Sequence, residues 1–179
     1  VSDAVAVGIA VKGVDDHGVE RVFRRAMPLS QEIDEQLKAE DYQKTTPLQA
    51  GMGYLTLTTL ENPAPYVKDD SFTRGGCWYF TFTIENTGDQ TMTLQTVEDA
   101  FCAANGIVDV IRLTGEKITD VFGSNVLKPG ESFVYNGMKP KQPMDELGEG
   151  FRVHATDEAG NEQQFTAFID FAPEETAQS

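Results

Sequence analysis

Apolar and polar residues alternate with a period of two along much of this chain. The clearest case is residues 77 to 85, CWYFTFTIE. Trp78, Phe80, Phe82 and Ile84 share one parity there, and Tyr79, Thr81 and Thr83 share the other. A pleated strand sends successive side chains to opposite faces, so this pattern predicts a strand with one face buried. Aromatic and β-branched residues suit such a surface. The opening AVAVGIAVK alternates in the same way. After the turn formers Asp15, Asp16 and Gly18, VERVFRR predicts a returning strand, so the chain begins with a hairpin.

Further strands are predicted at YLTLTTL (54 to 60), at TMTLQTV after the turn NTGDQ, at IVDVIRL, and at FVYNG. The closing hairpin is FRVHATD, a turn around Glu158 to Asn161, and QQFTAFIDF. It presents Phe151, Val153 and Ala155 with Phe165, Ala167, Ile169 and Phe171 as one buried surface. Residues 62 to 76, the piece around Cys102 and Asn105-Gly106, and residues 138 to 150 read as irregular.

The pattern shifts to a helix only over LSQEIDEQLKAEDY, residues 29 to 42. Ser30 can accept a free N–H of the first turn, and Glu32 and Asp34 suit the positive end of the helix dipole. Ile33 and Leu37 give a narrow apolar stripe fit to lie on a sheet. Many short alternating strands with regular turns predict a mostly β protein, an antiparallel β-sandwich with one short helix near residues 30 to 42. We expect a single domain over 1 to 172. Its core spans about 50 to 172, the hairpin and helix form an N-terminal extension, and 173 to 179 is a polar tail.

Two turns add to this reading. FTIENTGDQTMTL, followed by LKPGESFVYNG and a closing hairpin, resembles bacterial extracellular immunoglobulin-like domains. The likeness is to telokin-like domains of lipoproteins and to adhesion-related stalk modules of surface proteins. Asn86 can bond its own backbone and Gly88 can take φ > 0, while Pro129-Gly130 suits a type II turn. The resemblance covers roughly residues 54 to 172. It implies an immunoglobulin-like sandwich, export by a signal peptide outside this chain, and a binding or spacer role, and it carries over no catalytic residue.

Charge narrows the partners. Twenty-nine acidic residues against fourteen basic ones give a net charge of −15. That field repels nucleic acid and anionic lipid, and it keeps a protein dispersed. No apolar run approaches the roughly 20 residues of a membrane span. The two cysteines, Cys77 and Cys102, match no zinc motif; they either form a disulfide or are two buried thiols. A bridge would close a loop of about 25 residues and contribute about 3 kcal/mol.

Candidate chemistry is sparse. His17 sits in a turn, and His154 lies on a strand pointing away from the apolar face, with no nucleophile motif beside either. Acidic turns at Asp15-Asp16, Asp69-Asp70 and Asp157/Asn161/Glu162 offer hard oxygens for calcium, without EF-hand spacing. Tyr79 and Phe168 fall on outer strand faces and are candidate interface residues, unless the helix covers one of those faces. We therefore expect a non-catalytic, cofactor-free, monomeric binding or spacer domain outside a bacterial cell, with a protein or cell-wall ligand. The alternative is an assembly subunit (pilus, phage tail or shell component) that uses its N-terminal strand for subunit contacts.

Overall fold

The structure is a computed structural model. It describes residues 6–14, 20–28, 39–43, 52–142 and 145–174. The chain divides into two compact units, Val1–Asp34 and Glu35–Ser179. In the first, strands β1 (Ala6–Val14) and β2 (Glu20–Pro28) pair antiparallel from Ala6↔Pro28 to Val14↔Glu20. This is the hairpin that the alternation predicts.

The second unit is a β-sandwich of two antiparallel sheets. One sheet is centred on β5 (Gly76–Asn86), which pairs on one side with β3 (Leu55–Thr59) and β4 (Tyr66–Lys68) and on the other with β9 (Ser132–Pro140). The other has the order β11 (Glu162–Asp170), β10 (Glu146–Asp157), β6 (Met92–Ala103), β7 (Gly106–Thr114), and β8 (Val126–Leu127) also pairs with β6. We call these the β5 sheet and the β6 sheet.

The parity read from the sequence sets the core. Trp78, Phe80, Phe82 and Ile84 of β5 meet Leu94, Val97 and Phe101 of β6 and Phe151 and Val153 of β10 in one buried cluster. Phe82 stacks on Phe151 with ring centroids 3.9 Å apart, and Trp78 stacks on Phe171 at 4.6 Å. Each buried aromatic removes enough apolar surface from water to contribute about 1.5–3 kcal/mol, and a well-placed ring pair adds about 0.5–1.5 kcal/mol. The closing hairpin joins the predicted faces, with Phe151 opposite Ala167 and Val153 opposite Phe165.

The two turns behind the resemblance meet at one side chain. Asn86 is fully buried, and its amide donates to the carbonyls of Gln90 and Leu127, each at 2.8 Å. Its Oδ1 accepts the Gly88 N–H, and its carbonyl accepts the Gly130 N–H. Gly130 has φ 78°, and Glu131 N–H donates to Lys128 C=O, which is the expected Pro-Gly turn. Gly88 differs from expectation, because its φ is not positive. Glycine is needed there for closeness: a Cβ would lie 2.6 Å from the Tyr54 nitrogen.

Several segments differ from the sequence reading, among them residues 62 to 76, read as irregular, which hold β4. Among the described residues the α-helix is α1 (Glu116–Phe122), which puts Ile118 in the core and ends at Gly123 in the left-handed conformation. Seven residues are too few to print a helical period on the sequence. Of the predicted helix at 29 to 42, residues 29–38, with Ile33 and Leu37, lie outside the described residues, and Ala39–Gln43 is a 3₁₀ segment. The pieces read as irregular at Cys102 and at 138 to 150 are mostly strand, since β6 runs to Ala103, β9 to Pro140, and β10 starts at Glu146.

Candidate functional site

The outer face of the β6 sheet carries the main concentration of polar chemistry among the described residues. The register lines up three charged side chains on adjacent strands, with Arg112 of β7 opposite Glu98 of β6, and Glu98 opposite Arg152 of β10. Glu98 is buried. Arg152 binds it through a fork, with Nη2 donating to Oε1 at 2.7 Å and to Oε2 at 2.8 Å and Nε donating to Oε2 at 3.1 Å. A buried carboxylate needs this kind of bidentate partner to offset its lost hydration. Arg112 reaches the same Oε2 only at 3.4 Å, and its side chain is 42% exposed. Two guanidinium groups thus share one carboxylate, and the nearer one satisfies it.

Each side of this row differs. Toward one end, the 3₁₀ segment lays Tyr42 on Ala100, Cys102 and Val110, with Ile107 and Phe168 around them. Gly150 makes room for that ring, since a Cβ there would lie 2.5 Å from it. Arg152 sits 5.8 Å from the ring centroid, a cation–π contact. The Tyr42 phenol is pushed up to about 12, by burial and then by the Glu98 charge. Toward the other end, Thr96 of β6 stands opposite His154 of β10, which stands opposite Gln164 of β11. This end is an open depression of about 730 Å³, lined by Thr96, Arg112, Arg152, His154, Glu162 and Gln164 among others.

His154 is therefore half-buried and not simply solvent-facing. Its pKa is lowered from 6.5, first by burial and then by Arg152, so the ring is neutral at pH 7. The Thr96 hydroxyl is buried and has no hydrogen-bond partner among the described residues. Chemically, the depression offers an exposed guanidinium fork, a hydroxyl, a neutral imidazole and side-chain amides, which are groups that hold a ligand. Glu98 is held by its arginines and is not free to act as a base.

The other predicted residues fall elsewhere. Tyr79 is 45% exposed on the outer face of the β5 sheet, as expected. Phe168 is not free for an interface, because it packs beside Tyr42 on the opposite sheet. The 3₁₀ segment thus covers the Phe168 end of the β6 sheet's outer face, and among the described residues Tyr79 stays exposed on the other sheet. Cys77 and Cys102 are buried and free. Their neighbours Trp78 and Phe101 both point into the core, so the two thiols lie on opposite outer faces of the sandwich. Stacked sheets stand about 10 Å apart, so a bridge between them is geometrically excluded.

The calcium candidates also resolve. The Asp157 carboxylate accepts N–H groups from Gly53, Ala159 and Asn161 and the Asn161 amide at 2.9–3.2 Å. Asn161 turns its nitrogen, not its oxygen, toward Asp157, so this is a turn clasp aimed at itself. Glu162 lies instead at the rim of the depression. Asp69 accepts the Ser71 N–H in a similar local turn. Asp15, Asp16 and His17 lie outside the described residues.

No family model matches this chain. No curated protein matches it either. Solved structures resemble it in outline. One is a Bordetella pertussis protein assigned as ApaA, at 22% identity and a TM-score of 0.47, over 67% of this chain and 95% of that one. A Northeast Structural Genomics Consortium target aligns at 19% identity and 0.41, over 72% and 92%. A β-glucosidase from Listeria innocua aligns at 10% and 0.30, over 68% of this chain and 17% of the enzyme. At these values the likenesses carry no functional argument.

Sequence reasoning missed the Glu98–Arg152–Arg112 row and Tyr42. Alternation along β6 hides Glu98, because an irregularity between Leu94 and Thr96 switches which parity faces the core. Only the pairing register puts the three charged residues side by side, and a single chain's alternation does not reveal which strands are neighbours.

Proposed function

We propose that this chain is a non-catalytic binding domain whose ligand site is the depression beside Arg112. The observation that carries this reading is the contrast between the two arginines. Arg152 is consumed by Glu98, while Arg112 presents an exposed guanidinium to a concavity also lined by Thr96, whose buried hydroxyl has no partner among the described residues. The sandwich interior is filled by packed aromatic rings, which leaves the sheet faces as the surfaces for recognition.

The expected setting is the outside of a bacterial cell, as the turn motifs imply. Two buried thiols on opposite faces suit that setting as well as a reducing one, because neither is offered to oxidants or to the other. The competing reading, an assembly subunit built through the N-terminal strand, predicts self-association. Size-exclusion chromatography with light scattering over a hundredfold concentration range separates the two. A constant monomer mass supports the binding domain, and mass rising with concentration would favour the subunit.

A further inference from the structure

We propose that the depression takes an oxyanion (a carboxylate, sulfate or phosphate group of its ligand) seated on the exposed fork of Arg112 beside Thr96 and His154. This rests on the binding role proposed above and names the chemistry of its ligand.

Three observations converge on it. The charge balance of the arginine row is two cations to one anion, and the anion is already satisfied by Arg152 at 2.7–3.1 Å. Among the described residues, Arg112 therefore keeps donors that its 3.4 Å contact with Glu98 does not use. With Glu162 counted, the depression holds two cations and two carboxylates, a locally neutral patch in a chain with about twice as many acids as bases. A planar fork with free donors matches an oxyanion in geometry as well as charge.

The second observation is Thr96, whose buried hydroxyl lacks a partner among the described residues and lines the same concavity. Burying an unsatisfied hydroxyl costs about 1–3 kcal/mol, and a ligand oxygen would relieve it. The third is the rest of the lining. Gln95 supplies an amide suited to a hydroxyl or amide group flanking the anion, while the Gln163 amide is already spent on the Gly53 carbonyl at 2.6 Å. The one rim carboxylate, Glu162, opposes a highly charged ligand and favours one oxyanion on an otherwise polar molecule. The chain's net charge of −15 is screened beyond about 8–10 Å at physiological salt, so the local row dominates at contact.

The test is a ¹H–¹⁵N NMR titration of the whole chain with three probes at constant ionic strength: sulfate, glucuronate and glucose. The proposal predicts saturable shifts from sulfate and glucuronate confined to the strands carrying Thr96, Arg112, His154 and Gln164. Glucose should leave those signals unmoved. Arg112→Gln keeps the Glu98–Arg152 fork and should weaken both anions by about tenfold or more. Equal saturable shifts from glucose would overturn the oxyanion while leaving a binding site in place. Linear shifts scattered over the surface, or an unchanged response in Arg112→Gln, would also overturn it. Failure of the binding role itself shows separately, as self-association in the light-scattering measurement.

Discussion

Arg152 clasps Glu98 across two neighbouring strands through three hydrogen bonds of 2.7–3.1 Å, and this pair anchors the outer face of the β6 sheet. Removing only the cation leaves a carboxylate in a site with 3% side-chain exposure. Arg152→Met should lower the unfolding free energy by up to about 3–5 kcal/mol, because the buried charge then keeps only the 3.4 Å contact with the half-exposed Arg112. The double variant Glu98→Leu/Arg152→Met should recover most of that loss. Urea denaturation of the three proteins checks both statements, and equal losses in the single and double variants would contradict them.

The thiols give a second expectation. Burial, then the Glu149 charge, pushes the Cys102 thiol up to about 12, so its reactive thiolate is scarce at pH 8. Intact mass after alkylation should show no adduct on the folded chain and two adducts after denaturation without reductant. A denatured chain that takes no label would mean a Cys77–Cys102 bridge and would contradict the placement of the two thiols on opposite faces.

Sequence parity reached far into this fold because side chains at period two read out the core directly. It identified β5, the closing hairpin, and the faces of Tyr79 and Phe168. The Pro129-Gly130 turn was equally legible, since its backbone demand is local. Long-range placement was not. Nothing in the residues around Cys77 and Cys102 says that each sits on the outer side of a different sheet. The exposed look of Phe168 dissolves only when Tyr42, more than a hundred residues away in sequence, lies beside it. Helix α1 was hidden for a different reason, because two turns bounded by Gly115 and Gly123 resemble a loop.

The seat of Tyr42 depends on a missing side chain. Gly150→Ala should cost about 1–3 kcal/mol by pushing a methyl group into the ring, as overpacking does elsewhere. In a Tyr42→Ala background the same change should cost much less, because the obstructing ring is gone. Denaturation midpoints for the four proteins form a double-mutant cycle, and additive losses would contradict the contact.

Asp157 contributes a pH dependence of defined sign. The Asn161 amide first, and backbone N–H groups with it, holds its carboxyl below the ordinary 3.8. A group with a depressed folded pKa contributes stability that is complete above the unfolded value and is lost as pH falls through the folded one. Asp157→Asn should therefore be less stable than the parent at pH 7, with the gap closing below about pH 4. Urea midpoints at pH 7, 5 and 3 test this, and a gap that persists at pH 3 would assign the loss to packing instead.

The most direct test of the arginine face as a ligand site is the titration of His154 by NMR, with and without sulfate. Burial first, then Arg152 of its own strand and, more weakly, Arg112 of β7 lower its pKa, and Glu98 of β6 and Glu162 of β11 oppose them. A bound anion adds negative charge beside the ring, and by linkage the protonated ring must bind that anion more tightly. The His154 pKa should lie below 6.5 in buffer alone and rise with sulfate, with no such rise in Arg112→Gln. A His154 pKa that sulfate leaves unchanged in the parent protein would contradict it.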